Sequence, residues 1–519
     1  MRFIFTHKQM AAATAVPLAL AAVQQPVYAQ AAAQTQAKAW NFAHEQVLGT
    51  SLDVRVRAAN FAEAQRAEEA ALAVFDREDA RLSSWRPASE LSRWERTRFE
   101  PVKVSPELFS LLAAFDRWRE RSSGALDPSS EAARQLWQRA ASEGRRPTET
   151  ELQQTVEAMQ QPHWQLDAAN GTATRLSDVP LAFATFAKSR ITAQAAEAAM
   201  AAGAEGIMLN VGGDIVVRGA LAQSVSVADP LADAENAPSL ATLQIRDHAI
   251  ATSGSYRRSI AAAESQLAAS HILDPRTAAP TGHVLSSTVL APDAETAGAL
   301  ATAFSVLSPE QSQQLAASIP GAEYLLVLQD GSELRSPGWS HYETAHLQPA
   351  AFTPAPTPAK TGAAGAWNPA YELDLALELP HIDDARYRRP YVAVWVEDSD
   401  HFPVRTLALW TQNPRWLPEL KQWYHDDQIR NLAEGTDISR TISSATRPAG
   451  KYNLKWDGKD NQGKFVKPGS YTLVVEVSRE HGGYQIERRE MNLGGTQPAQ
   501  LNAPAGQELG ALSLVYRKR

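Results

Sequence analysis

The first half of the chain alternates segments with strand-like and helix-like spacing of apolar residues. In VLGTSLDVRVRA (47–58), Leu52, Val54 and Val56 alternate with polar residues, which predicts a strand. Four segments have the apolar spacing or the Ala-rich composition of helices: 62–82, 106–122, 148–159 and 188–202. The last of them is followed by the strand-like segment GIMLNV and by a Gly-Gly turn. This order predicts an α+β domain over residues 40–345.

The second half of the chain has a period of two. The segments YELDLALEL, YVAVWVE, TLALW, YNLKW and YTLVVEVSRE alternate apolar and polar residues and are separated by turn residues, which predicts an all-β sandwich of immunoglobulin-like type over 367–519. After YNLKW, Trp456 is expected to pack in the core, while Asp457, Gly458, Asn461 and Gly463 are expected to form a tight hairpin turn. Residues 346–366 are rich in Pro, Ala and Gly, which predicts a semi-rigid linker between the two domains.

The N-terminus has the pattern of a secretory signal peptide. Arg2 and Lys8 precede an apolar run over 10–23, and Val27-Tyr28-Ala29 offers small residues where a signal peptidase cleaves. We therefore expect cleavage after Ala29, a flexible Ala/Gln-rich spacer over 30–39, and a soluble protein in the periplasm. No later segment is apolar over about 18 residues, so we expect no membrane span after signal removal. The chain has no Cys, which excludes disulfides and thiolate metal ligands.

The net charge and the residues at the ends of the predicted strands limit the kinds of ligand that the protein is expected to bind. A net charge of −8 argues against a nucleic-acid-binding protein, which needs a basic surface. Small and hydroxyl residues end the apolar runs of NVGGD (210–214), AIATSGSYRRS (249–259) and SHILDPRTAAP (270–280). Backbone N–H groups and short hydroxyls at the ends of strands suit a ligand that bears phosphate.

Eight segments carry a resemblance to a known family. In chain order they are VLGT (47–50), SSWRPASELSRW (83–94), GALDP (124–128), FAK (186–188), NVGGD (210–214), IATSGSY (250–256), HILDPRTAAP (271–280) and ALATAF (299–304). Over residues 45–330 the chain therefore resembles the FAD:protein FMN transferase (ApbE-type) family. The C-terminal region, with YNLKWDGKDNQGKFVKPGSYTLVVEV, resembles a family of exported β-domains with no assigned function.

The resemblance implies an Mg²⁺-dependent enzyme that moves FMN from FAD to a Thr hydroxyl of an acceptor flavoprotein and releases AMP. The acceptor is expected to belong to an electron-transfer system. By resemblance, His271 is the catalytic base, and Mg²⁺ is held by the carbonyl of Thr185, the hydroxyl of Thr302 and position 298. The resemblance also implies a set of residues that bind the flavin nucleotide: Leu48, Trp85, Ala125, Leu126, Asp127, Ala182, Lys188 and Ile272.

The chain departs from the family's pattern at the metal site. AGALAT places Gly298 where the family has an Asp, and Ser189 follows Lys188 where the family has a Gly. On the sequence alone, Gly298→Asp is expected to raise Mg²⁺ affinity, because residues i and i+4 of a helix share one face. These departures favour an alternative: a catalytically lapsed FAD-binding or scaffold protein of a periplasmic flavoprotein electron-transfer system.

The candidate residues also have structural interpretations. Lys188 could be a solvated helix residue, Thr302 could bond a helix carbonyl, Asp214 could organise a turn, and His271 could be a hydrogen-bonded structural histidine. One further hypothesis concerns Thr446. The segment SSAT at 443–446 matches the end of the acceptor sequence that such transferases modify, although a Thr that simply precedes a turn is the favoured interpretation.

Overall fold

The structure is a computed structural model. It describes residues 38–232, 234–254, 259–260, 269–270, 272–344, 367–383, 387–411, 414–436, 438–444, 446–480 and 482–519. The predicted signal peptide, the predicted linker and His271 lie outside these residues.

The first domain mixes helices and strands. Its helices are α1 (Phe61–Leu82), α2 (Glu90–Glu95), α3 (Pro106–Arg121), α4 (Ser130–Ser142), α5 (Glu149–Met159), α6 (Ala184–Ala201), α7 (Ala294–Phe304) and α8 (Pro309–Ala317). Its strands are β1 (Lys38–Val47), β2 (Thr50–Ala58), β3 (Pro101–Lys103), β4 (Trp164–Asp167), β5 (Thr172–Arg175), β6 (Gly206–Val211), β7 (Asp214–Gly219), β8 (Gln223–Val227), β9 (Ala241–Ile245), β10 (Ala249–Gly254), β11 (Ser259–Ile260), β12 (Ala269–Ser270), β13 (Leu273–Asp274), β14 (Ala279–Pro280), β15 (Val284–Ala291), β16 (Glu323–Leu328) and β17 (Glu333–Arg335).

An antiparallel sheet of eight strands lies at the centre of this domain, in the order β1-β2-β6-β7-β10-β15-β16-β17. Successive side chains of a strand point to opposite faces of the sheet, and here apolar residues on both faces are buried in cores. In β15, Val289 and Ala291 join the core formed with helices such as α1, α6 and α7, whereas Leu290 joins the core formed with the β8–β9 hairpin. The helices and the hairpin thus make outer layers around the sheet.

The sequence predicted the long elements of this domain and missed three boundaries. The predicted strand over 47–58 is broken at Leu48-Gly49, where the chain turns from β1 into β2. Strand β1 begins at Lys38, so the last two residues of the predicted spacer belong to the sheet. Helix α6 begins at Ala184, one turn before the predicted start at Lys188. That start has no side-chain cap, so the usual sequence signal for a helix N-terminus is missing.

The second domain is a β-sandwich, which confirms the predicted fold class. Its elements are β18 (Tyr371–Leu379), β19 (Tyr391–Glu397), β20 (Pro403–Trp410), α9 (Lys421–Glu434), α10 (Ser439–Ile442), β21 (Ser443–Ser444), β22 (Gly450–Trp456), β23 (Gly469–Ser478), β24 (Tyr484–Leu493), β25 (Ala499–Ala503) and β26 (Leu512–Lys518). The sheets β22-β18-β26-β25 and β21-β20-β19-β23-β24 enclose one apolar core. Strands β22 and β23 lie in different sheets. The predicted tight turn between them is present, because Lys459 and Phe465 form an antiparallel bridge and the N–H of Asp460 donates to the carbonyl of Lys464 at 2.8 Å.

Helix α9 was not predicted. It covers the outer face of the five-stranded sheet through Trp423, which packs with Trp395 and other apolar residues. The fully buried carboxylate of Glu476, on β23, accepts the backbone N–H groups of Gln422 (2.9 Å) and Trp423 (2.8 Å) at the start of this helix. A carboxylate from a distant strand therefore caps the helix, and a local sequence pattern does not reveal such a cap.

The two domains contact each other through the segment that joins β8 to β9. The side chain of Asn236 donates to the carbonyl of Lys455 (2.8 Å) and accepts its N–H (3.0 Å), and the N–H of Glu235 donates to the carbonyl of Asn453 (2.8 Å). Arg447 forms an ion pair with Glu235 at 3.1 Å. The first domain thus pairs with β22, a strand at the edge of its sheet.

Candidate functional site

A charged cluster joins α6 to the start of β7. The ammonium of Lys188 lies 3.4 Å from a carboxylate oxygen of Asp214, and the hydroxyl of Ser189 donates to the same oxygen at 2.7 Å. Asp214 and Ser189 are buried, and Lys188 is only partly exposed. Lys188 is therefore held by a specific ion pair, and Asp214 does more than organise the Gly-Gly turn before it.

Gly298 lies where α7 packs against α6. A Cβ atom at Gly298 would be 2.4 Å from the Ser189 Oγ, 3.1 Å from the Ser189 Cβ and 3.4 Å from the Phe186 Cβ. The Ser189 side chain thus fills the space into which a side chain at position 298 would project. One turn later, the hydroxyl of Thr302 donates to the Gly298 carbonyl at 3.2 Å, which is the structural role considered for this residue.

The first turn of α6 holds Thr185, the predicted carbonyl ligand. Phe183 occupies the N-cap position and makes no side-chain capping hydrogen bond. The first N–H groups of a helix have no intrahelical partner, so an uncapped start of this kind can accept an anion. Just before the helix, the N–H of Ala182 donates to the carbonyl of Pro128 at 2.8 Å. This bond brings two of the predicted segments together.

The predicted residues Ala125, Leu126 and Asp127 form a tight loop after α3. Ala125 and Leu126 are buried in the main core, so they can offer a ligand their backbone rather than their side chains. The carboxylate of Asp127 accepts the N–H (2.8 Å) and hydroxyl (2.6 Å) of Ser129 and pairs with Arg119 at 2.7 Å. The role of Asp127 in this structure is to fix the loop.

A buried polar cluster around His163 lies beside the same loop, because the hydroxyl of Ser129 and the ring of His163 both donate to the carbonyl of Met159. The ring of His163 is buried and donates through Nε2 to the carbonyl of Met159 at 3.1 Å, while its Nδ1 lies 2.8 Å from the hydroxyl of Ser177. Burial lowers the pKa of His163, although the charge of Asp127 opposes this effect. His163 is therefore a neutral structural group beside the loop.

Arg276 is a site candidate that the sequence reasoning missed. Its side chain passes over the loop, so that a Cβ at Gly124 would be 3.5 Å from the Arg276 Cγ. The guanidinium pairs with both carboxylate oxygens of Asp274 at 2.8 Å. Both residues belong to the motif HILDPRTAAP, and the DPR spacing was the available signal. Arg276 adds a second cation near the predicted flavin segments.

Two turns meet at one end of the central sheet. Leu48 and Gly49 have φ values of 48° and 76°, the left-handed conformation that a two-residue hairpin turn requires at both positions. Leucine rarely adopts this conformation, and strain of this kind often marks a functional site. Gly212 lies against this hairpin, because a Cβ there would be 2.6 Å from the Thr50 Oγ1.

The remaining predicted residues are dispersed. Trp85 lies on the loop between α1 and α2 with 89% of its surface exposed, so it is free to stack on a planar ring. Ile272 is half-buried against the main core, and its carbonyl accepts the N–H of Thr281 at 3.0 Å. His271 lies outside the described residues. Thr446 is only 8% exposed, which does not suit a residue offered for modification.

Comparison with known proteins identifies the first domain. The ApbE family matches residues 48–326, which is more than half of the chain. This chain belongs to the ApbE family. It is similar to two proteins named FAD:protein FMN transferase. The one from Klebsiella pneumoniae is 29% identical over 54% of this chain and 82% of its own length. The one from Chlamydia trachomatis is 30% identical over 48% of this chain and 78% of its own length.

One solved ApbE structure agrees with the fold of the first domain. The crystal structure of the ApbE protein from Thermotoga maritima is 26% identical, covers 59% of this chain and all of its own chain, and superposes with a TM-score of 0.53. The second domain, over residues 372–511, matches a different family, described as predicted periplasmic protein (DUF2271). Along the residues whose structure is described, no helix is long and apolar enough to cross a membrane.

The residues of this ApbE-family chain do not fit the Mg²⁺ site that the resemblance implied. Of its three positions, Thr185 and Thr302 can offer oxygen atoms, whereas Gly298 has no side chain and its space is filled by Ser189. A side chain at position 298 would require Ser189 to move, and the expected gain of Mg²⁺ affinity in Gly298→Asp stays a prediction. Within the described part of the chain, no group of three or more His, Cys, Asp or Glu side chains could hold a metal ion.

Proposed function

We propose that this chain is an exported FAD:protein FMN transferase that moves FMN from FAD to a Thr hydroxyl of an acceptor flavoprotein. The observation that carries the proposal is the cationic end of α6, where Lys188 and the uncapped first turn lie beside the Gly-Gly turn before β7. Both features suit the diphosphate of FAD, because an ammonium and free backbone N–H groups are strong phosphate donors. The family membership supplies the flavin chemistry.

The proposed transfer is a displacement at the phosphorus atom of the FMN half of FAD. The acceptor Thr oxygen forms a new bond to this phosphorus as the P–O bond to AMP breaks. AMP leaves with its phosphate, and the Thr proton passes to a base, for which His271 is the candidate. Lys188 would stabilise the charge that develops on the phosphate oxygens. Trp85 would stack on one of the rings, while Leu48 and Ile272 would line the flavin side.

Transfer can be tested with the mature protein, FAD and an acceptor flavoprotein domain. We expect covalent flavin on the acceptor, detected by its fluorescence after denaturing electrophoresis, and AMP released in equal amount. Lys188→Ala should lower the rate at least tenfold, whereas Lys103→Ala, at an exposed position on β3, should leave it unchanged. The reaction should be lost in His271→Ala while FAD binding is kept. Absence of AMP release from the parent protein would refute the proposal.

A second function, FAD binding without transfer, is favoured by the contact of Ser189 with Gly298. A chain that lost its metal carboxylate could keep the nucleotide site and serve as a flavin-binding scaffold. Tight FAD binding with no AMP release and no labelled acceptor would support this alternative.

We also propose export to the periplasm with cleavage after Ala29. The match of the second domain to predicted periplasmic proteins supports this location. N-terminal sequencing of the protein from a periplasmic extract should give Gln30 as the first residue, and retention of Met1 in a cytoplasmic fraction would contradict it.

A further inference from the structure

Where α6 crosses α7, the Ser189 side chain fills the space beside position 298, and position 298 has no carboxylate to bind a cation. A hard divalent cation such as Mg²⁺ is held by oxygen ligands, with carboxylates supplying much of the affinity. By the resemblance, the family has an Asp where this chain has Gly298 and a Gly where it has Ser189. The two departures lie 109 positions apart in sequence, yet their atoms face each other.

The space for a side chain at position 298 is closed. Rotation of the Ser189 hydroxyl would relieve its 2.4 Å contact with a new Cβ, but it would not relieve the tight 3.1 Å contact of the Ser189 Cβ. The Phe186 Cβ, at 3.4 Å, would be in ordinary van der Waals contact with the new atom. The Ser189 hydroxyl is also fixed, since it is 1% exposed and donates to Asp214. The crossing is therefore a packed contact between the two helices.

The carboxylates around the crossing are already engaged. Asp214 accepts from Ser189 and pairs with Lys188. Asp293 caps α7 by accepting the N–H of Thr296 at 2.8 Å. Glu295, in the first turn of α7, accepts from the indole of Trp118 at 3.0 Å and pairs with Arg190 at 3.3 Å. Asp293 and Glu295 therefore have structural partners that a shift toward a cation would break.

We infer that the Ser189–Gly298 contact has replaced the cation site and that this chain binds the FAD diphosphate without a divalent metal ion. The positive charge that the diphosphate meets is the ammonium of Lys188, held in place by Asp214 at 3.4 Å. This inference rests on the proposed function in so far as FAD is the ligand, whereas the absence of metal binding is a property of the protein alone.

The first test measures metal binding directly. The mature protein is titrated with Mn²⁺, and free Mn²⁺ is followed by electron paramagnetic resonance. We expect no saturable binding up to millimolar Mn²⁺. In parallel, FAD affinity measured by flavin fluorescence should agree within twofold between EDTA and Mg²⁺. One tightly bound Mn²⁺ per chain that is lost in Thr302→Val would overturn the inference, as would a tenfold weaker FAD affinity in EDTA.

Paired variants test the location. Ser189→Gly combined with Gly298→Asp opens the space and adds the carboxylate, so the double variant should gain saturable Mn²⁺ binding. Gly298→Asp alone should lower the melting temperature without that gain. A folded double variant that still binds no Mn²⁺ would show that the crossing is not where a cation site was lost. Failure of the parent to bind FAD in either buffer would count against the proposed function, while the Mn²⁺ titration would still decide the inference.

Discussion

The buried hydroxyl of Ser189 offers a sensitive test of the candidate site. It donates to a carboxylate oxygen of Asp214 at 2.7 Å, and both side chains are buried. A hydrogen bond to a charged partner contributes about 1.5–3 kcal/mol to the free energy of unfolding. Ser189→Ala removes this donor and leaves Asp214 with Lys188 as its remaining partner at the cluster. We therefore expect the unfolding free energy of the first domain to fall by about 1.5–3 kcal/mol.

Differential scanning calorimetry of the mature protein can measure this change. For a domain of this size, 1 kcal/mol corresponds to about 2 °C, so the melting temperature of the first domain should fall by roughly 3–6 °C. The transition of the β-sandwich domain provides an internal reference, because the substitution does not touch it. Ser142→Ala, at an exposed position of α4, is the matched control and should shift the unfolding free energy by less than about 0.5 kcal/mol. A Ser189→Ala protein as stable as its parent would refute the assigned hydrogen bond.

Three further predictions concern acidity, ligand stacking and the second domain. Burial raises the pKa of Glu95 to about 7, although the positive charge of Arg175 opposes the shift. Between pH 4.5 and 7 the folded chain therefore keeps a proton on Glu95 that the unfolded chain releases, so the free energy of unfolding falls as the pH rises through this range. Glu95→Gln should therefore raise the melting temperature at pH 8 and much less at pH 4.5, and an equal gain at both pH values would contradict this sign. Trp85→Ala should weaken FAD binding by about five- to thirteenfold, from the loss of about 1–1.5 kcal/mol of stacking, with an unchanged melting temperature. An unchanged fluorescence titration would exclude the stacking role. Glu476→Gln replaces a buried carboxylate that accepts three hydrogen bonds, so it should lower the unfolding free energy of the second domain by about 2–4 kcal/mol, measured by urea denaturation. The control Glu490→Gln, at an exposed position, should have little effect. Equal losses of stability in the two variants would argue against the helix cap.

The sequence predicted elements best where apolar spacing is long and regular. The helix predicted over 62–82 is α1 (Phe61–Leu82), and the strand GIMLNV is β6. Both bury one regular set of positions, so local periodicity contains most of the information needed. Helix α9 escaped prediction because its N-terminus is capped by Glu476, 54 positions from Gln422.

The candidate site shows the same division. Motif order was sufficient to indicate the flavin transferase family, and the family match confirms it. The motif alone did not reveal that Ala125 and Leu126 face the core, or that Arg276 lies over Gly124. Contacts between segments more than a hundred residues apart depend on how helices and loops pack, and a one-dimensional pattern does not encode that packing.

Residue types and their spacing thus predicted the two-domain order and the family, and the resemblance implied the missing carboxylate at Gly298. Only the tertiary structure decided what the loss of that carboxylate means. It places Ser189 against Gly298 and ties the Ser189 hydroxyl to Asp214, so the gap is closed by a packed and hydrogen-bonded side chain. The physical reason is that close packing leaves room at a helix crossing for one of two neighbouring side chains, and which residues are neighbours is a property of the fold.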